Sequence, residues 1–367
     1  MRAVVKVGTI LSLLTLMVRT PAAAQPRRVE PARSAALGRS CANWRVVPAP
    51  TDREEGIAGI DGVSASDFWA VVDSFEAPHP QKILHWHGGL WTQPPIVGKR
   101  GDLKGVVAIA PTDAWAVGTD SEYIGTQSFH WDGTVWTQVP VPSPEGGYDI
   151  LYGVSASSSS DVWAVGVTGY SRGLIVHWDG KAWSAVPNPV HQSGEEFRGV
   201  LALSPTDAWA VGGRDIGETE KPLIEHWDGS SWTELPIPQP EHGGVLFAVD
   251  AAGPDHVWAV GLDNGFGTLI YRWDGTSWTM PDRAPFANRG ELRSVSVLAS
   301  DDVWVAGLND GGGPPIAAHW DGRRWKLAPA NVGNQWFDTV KAFTHTSVWA
   351  GGGGAYGIIA ARFAGCR

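Results

Sequence analysis

Five times along the chain an aspartate stands two residues before a tryptophan, and a histidine follows 16 to 19 residues after that aspartate. The pairs are Asp67/His85, Asp113/His130, Asp161/His177, Asp207/His226 and Asp302/His319, each histidine lying directly before another tryptophan. Carboxylate and imidazole are the parts of a general acid–base couple or of a metal site. Either use needs one special copy, and here there are five. The two segments that carry His256 and Ser347 instead of the aspartate also lose the histidine, to Arg272 and Arg362. Loss in step is what a buried hydrogen-bonded pair requires, since each member satisfies the other. The expectation is a structural pair in each segment, with no metal site and no cofactor.

A second set of residues is suited to binding. One position recurring along the chain reads Ala58, Lys104, Tyr152, Arg198, Phe247, Arg293 and Asp338. If the segments close into a ring, three cations, a tyrosine and a carboxylate converge, as a pocket for an anionic ligand such as an acidic sugar would need. The competing reading is that the cations offset Glu195, Glu196 and Glu291 nearby. Trp336 is the one tryptophan outside the repeat frame, beside Asn334 and Gln335. A sugar stacks its C–H face on such a ring while its hydroxyls need polar partners; the plainer role is to plug a gap between segments. The candidate ligand-binding residues are therefore Lys104, Tyr152, Arg198, Arg293, Trp336 and Asp338.

Catalysis is the alternative. A glycan hydrolase or lyase would draw on Tyr152, His191, His242 and the two arginines, but no nucleophile–base pair can be assembled from the sequence. Serine-hydrolase, zinc-protease, EF-hand and cysteine–zinc spacings are absent. The glycine runs at Gly311 and Gly351 lack the helix and Lys-Ser/Thr of a phosphate loop.

The elements that must position these residues follow from self-similarity. "DVWAVG" or a variant centres on Trp69, Trp115, Trp163, Trp209, Trp258, Trp304 and Trp349, at spacings of 45 to 49 residues. "HWDG" or a variant follows each, with Phe363 in seventh place, and a third tryptophan comes five residues later. Each unit reads as four short strands, with Asp-Gly as the hairpin turn between the last two. Repeated seven times, this is an all-β, seven-bladed β-propeller of four-stranded blades. The tryptophans are expected to fill the space between blades.

The seventh unit ends before its fourth strand, and "CANWRVVPAP" supplies that strand from the other end, with Trp44 in the third-tryptophan position. The N-terminal strand should complete the last blade and leave no unpaired edge. Cys41 and Cys366 then occupy frame positions that meet in the turn of every other blade, so they are expected to form a disulfide closing the ring.

Before this comes a basic start (Arg2, Lys6), the apolar run "VGTILSLLTLMV" and small residues near Ala24. That pattern predicts a signal peptide over 1–24, a flexible leader over 25–40 and the propeller over 41–367. A membrane anchor is the rival reading; the run falls short of the ~20 apolar residues a span needs. Removing 1–24 takes away three cations and no acids, moving the net charge from -10 to about -13. So acidic a chain excludes general nucleic-acid binding.

The unit "GVSA-x-S-x-x-DVWAVG … HWDG-x-x-W" resembles tandem propeller repeats of exported bacterial proteins. Its "DG-x-x-W" turn is similar to the Asp-box of sialidase-type propellers, with one residue fewer and His in place of Ser. The hairpin also resembles that of seven-bladed bacterial fucose-binding lectins. These resemblances imply an extracytoplasmic binding or scaffold module, with carbohydrate or another anionic ligand, or a protein partner, at the loops that vary from blade to blade. They carry no individual binding residue onto this chain.

Overall fold

The computed structural model describes residues 43–364 except for 51–54, 75–80, 123, 145, 170–171, 190–193, 217–218, 266, 282–283, 285, 287–289, 333–334 and 355–358. Cys41, Cys366, His191, Asn334 and the 1–40 segment lie outside the described residues. Seven antiparallel sheets follow one another along the chain. In blade 3, for example, the strands are Ile150–Ser158, Asp161–Thr168, Arg172–Trp178 and Trp183–Ala185. Blade 2 adds a short parallel strand, Ile96–Val97, at its outer edge. No described helix is long and apolar enough to cross a membrane.

Asp-Gly makes the outer hairpins because both residues have work there. Asp132 Oδ1 accepts the amides of Thr134 and Val135 at 2.8 and 3.0 Å, and Gly133 takes φ 94°. Asp179, Asp228, Asp274 and Asp321 repeat the arrangement. The sequence reads "HWHGG" in blade 1, and two glycines at φ 60° and 92° form the turn there.

Tryptophan wedges hold neighbouring blades together. Trp115 of blade 2 sits between Trp178 and Trp183 of blade 3, at ring-centroid distances of 4.8 and 5.3 Å. Trp163 does the same with Trp227 and Trp232, and Trp209 with Trp273 and Trp278. The pattern survives at the junction of the two chain ends. Trp304 of blade 6 meets Phe363 and Trp44, and Trp349 of blade 7 meets Trp86 and Trp91 of blade 1. The N-terminal strand Asn43–Val47 pairs with Ile359–Ala364, so blade 7 is built from both ends of the propeller.

Along the inner strands, side chains of one blade accept backbone amides of the next. Asp61 accepts from Ala108, Ser155 from Ala202, Asp250 from Val297 and Ser296 from Ala342. Thr339 of blade 7 accepts from Ile60 of blade 1 and Lys341 bonds Asp61 at 2.6 Å, which closes the ring.

Candidate binding site at the channel mouth

Every inner strand carries a bulge at the same place. Its register against the second strand skips one residue between Ile57 and Gly59, Leu103 and Gly105, Leu151 and Gly153, and Phe197 and Gly199. Blades 5 to 7 skip between Leu246 and Ala248, Leu292 and Ser294, and Phe337 and Thr339. The skipped residues are Ala58, Lys104, Tyr152, Arg198, Phe247, Arg293 and Asp338. A bulge re-aims the extra side chain away from the pleat, and all seven line one cavity of about 640 Å³. Glycine follows the bulge where blades approach most closely. A Cβ on Gly153 or Gly199 would come within 2.9 Å of the Arg198 or Phe247 carbonyl oxygen.

The same cavity is lined by Gly56, Asp73, Glu291, Leu308 and Trp336. The structure thus brings all six expected ligand-binding residues together, on inner strands of blades 2, 3, 4, 6 and 7. Trp336 is half-buried and its Nε1 donates to Asp338 Oδ2 at 3.0 Å. His242 is not in the lining; it is exposed, 3.6 Å from Asp263.

The cations arrive paired. Lys104 Nζ lies 2.6 Å from Asp73 Oδ2. Arg198 donates through Nε and Nη2 to Glu196 Oε1, at 2.6 and 2.5 Å, and stacks its guanidinium 4.1 Å above the Tyr152 ring. Arg293 bridges Glu291 and Asp338, the latter at 2.5 Å. Three cations meet four carboxylates, so the mouth is not a bare cationic ring. Burial pushes the Asp338 and Asp73 carboxyls above the usual range, against Arg293 and Lys104, which pull them down. Burial opposes the charge on Arg293, but Asp338 and Glu291 hold it and raise its pKa. Burial also raises the Tyr152 hydroxyl, which stays protonated and able to donate.

Sequence reasoning anticipated Glu196 and Glu291 as offsets but not Asp73, which comes from the second strand of the preceding blade. Glu195 belongs elsewhere, 3.3 Å from Arg214. The Asp–His pairs form as expected, with Nε2 of His85, His130, His177, His226 and His319 between 2.7 and 3.0 Å from the aspartate. Each imidazole also lies over the second-strand tryptophan, as His85 over Trp69 at 4.0 Å. In the two blades that lose the pair, Arg272 and Arg362 take that place over Trp258 and Trp349. A cation held by a ring face needs no carboxylate, which explains the joint loss.

No family profile and no curated protein matches the chain. Among solved structures it is similar to YCF48 with a bound peptide, at 17% identity and TM-score 0.58, over 88% of this chain and 97% of that one. An extracellular domain from B. thetaiotaomicron aligns at 10% identity and TM-score 0.57, over 87% of this chain and 39% of that chain. A fucose-specific lectin from Aleuria aurantia aligns at 14% identity and TM-score 0.50, over 75% of this chain and 96% of that chain. At these identities the likeness is one of fold, a ring-closed propeller.

Proposed function

We propose that the protein is an extracytoplasmic binding module that takes a carbohydrate into the channel mouth, through Lys104, Tyr152, Arg198, Arg293, Trp336 and Asp338. The observation that carries this reading is the prior pairing of every cation in the lining. A strongly anionic ligand would have to compete with four carboxylates already in place. A hydroxyl-rich ligand instead meets fixed donors and acceptors, among the aromatic side chains of Tyr152, Phe247 and Trp336 that line the cavity. The cavity volume lies in the range of small-ligand sites. Propellers of similar build that hold a peptide or recognise fucose support a binding role over a structural one.

Glycan-array screening followed by calorimetry tests the proposal. Trp336→Ala and Tyr152→Ala are each expected to raise Kd about tenfold, roughly 1.4 kcal/mol, with the fold unchanged. Unchanged affinity in both variants for every bound glycan would remove the site. New reducing ends or unsaturated products would move the assignment to a glycan hydrolase or lyase. A co-purifying protein with no glycan bound would move it to a protein-interaction platform.

The proposal includes export, with 1–24 as signal peptide and 25–40 as leader, and a Cys41–Cys366 disulfide. The register of the closing strands supports the pairing. Partners run antiparallel from Val47↔Ala360 to Asn43↔Ala364; in sequence Cys41 and Cys366 each stand two residues beyond that last pair, outside the described residues. Peptide mapping without reductant should yield one cross-linked peptide; two alkylated thiols would remove the disulfide.

A further inference from the structure

We propose that the turn face carries two binding sites for a divalent ion of the zinc class. One is formed by Asp67, His85 and His87 in blade 1. The other is formed by Asp302 and His319 of blade 6 with His345 of blade 7. In each trio the potential ligand atoms lie within 4.8 Å of one another.

Five blades hold an Asp–His pair over a tryptophan, and among the described residues only these two add a second imidazole within ligand distance of the carboxylate. In both, the added histidine departs from the repeat. His87 stands where blades 2 to 6 have the turn aspartate, and the turn is left to Gly88 and Gly89. Its side chain is thereby released from capping the turn and reaches 3.5 Å from Asp67 Oδ2, outside hydrogen-bond geometry. His345 stands at the position of Ser159 in blade 3. Ser159 crosses to Asp113 of the preceding blade, and His345 takes the same path to Asp302 Oδ2, at 3.0 Å.

The result is one carboxylate between two imidazoles. His85 Nε2 is 2.7 Å from Asp67 Oδ1, and His319 Nε2 is 2.8 Å from Asp302 Oδ1. Two ligands bound tetrahedrally at 2.0–2.1 Å stand about 3.3 Å apart, so each imidazole nitrogen need shift only by tenths of an ångström relative to the carboxylate. The exposed imidazole closes the remaining gap to the buried one, now within 4.8 Å. The inner pair is mostly buried and held by packing, with His85 and His319 side chains 19% and 12% exposed. His87 and His345 are 67% and 68% exposed, so an ion and its completing water can enter. Two imidazoles and one carboxylate suit Zn²⁺, Ni²⁺ or Cu²⁺, whereas Ca²⁺ and Mg²⁺ need more oxygen ligands. The second site would bridge blade 6 to blade 7, the blade that joins the two chain ends.

The test is calorimetric titration of the chelator-treated full chain with ZnCl2, with CaCl2 as control. Wild type is expected to bind two Zn²⁺ and no Ca²⁺. His87→Asn, which keeps a turn-forming residue, and His345→Ser, which restores the residue of blade 3, should each remove one equivalent, and the double variant both. Both positions are exposed, and near-ultraviolet circular dichroism of the tryptophans verifies that the fold is kept. Two equivalents surviving in the double variant, no zinc bound by wild type, or equal binding of calcium would overturn the proposal.

Discussion

Trp44→Ala is expected to lower the free energy of unfolding by about 3–5 kcal/mol, read as a shift in urea midpoint. Trp44 is 9% exposed, packs on Phe337, Phe363 and Trp304 at 5.4 to 6.2 Å, and donates its Nε1–H to Ala328 O at 2.9 Å. Truncation removes apolar burial and leaves the Ala328 carbonyl without that donor. What sets it apart from other tryptophans is its strand. Asn43–Val47 pairs with one neighbour only, Ile359–Ala364. Without the anchor, the strand that joins the chain ends loses its main hold on blade 6. The comparison is Trp91→Ala, the same frame position in blade 1, where Trp91 is only partly buried and its strand is tied to its hairpin partner. Hydrogen exchange should rise across Ile359–Ala364 in the Trp44 variant and not in the Trp91 variant. Equal losses of stability with no local change in exchange would show that blade 7 is not closed through Trp44.

The closure could be anticipated because it depends on repeat arithmetic: a missing strand at one end and a spare one at the other. Spacing likewise placed the seven channel-facing positions on one ring, since a repeated frame position faces the same way in every blade. It could not show that a bulge turns those side chains inward, because the bulge is a register slip between two strands. Pairing across blades was harder still. Asp73 meets Lys104 from a strand 31 residues earlier, and nothing in either local sequence marks the contact. The added histidines are departures from the repeat, His87 from the aspartate of "HWDG" and His345 from the position of Ser159. His87 meets Asp67 as its cross-strand partner within blade 1, and His345 reaches Asp302 from the next blade, contacts that a one-dimensional frame omits.

The largest departure from the repeat inside the core is Glu225, and it predicts an unusual dependence on pH. Leu84, Phe129, Val176, Tyr271, Ala318 and Ala361 fill its frame position in the other blades. Glu225 is fully buried, and its carboxyl oxygens fall short of hydrogen-bond geometry even with the Asn188 amide beside them, which only partly offsets the burial. Around it stand Asn188, Glu195, Glu234 and Arg214, the last 2.6 Å from Glu234 and 3.3 Å from Glu195. Glu234 is exposed and shares Arg214, so this one cation cannot hold the two buried carboxyls of Glu225 and Glu195 ionised as well. Burial, then repulsion from Glu195, pushes Glu225 up to about 8, and burial pushes Glu195 up to about 7. Both folded values lie above the unfolded value of 4.5. Between these limits the folded chain binds more protons than the unfolded one, so stability falls as pH rises. From pH 5 to pH 8 Glu225 accounts for a loss on the order of 3 kcal/mol, the slope approaching about 1.4 kcal/mol per pH unit only well between the two values. The turn aspartates contribute nothing in this window, since Asp132, Asp228 and Asp274 titrate near 2. Glu225→Leu, matching blade 1, should make the profile less steep, leaving the contribution of Glu195, and make the protein more stable than wild type at pH 8 by a few kcal/mol. Glu225→Gln should reduce the slope likewise, without the gain in apolar packing. A wild-type midpoint that stays level or rises from pH 5 to pH 8 would mean that Glu225 is ionised in the folded chain.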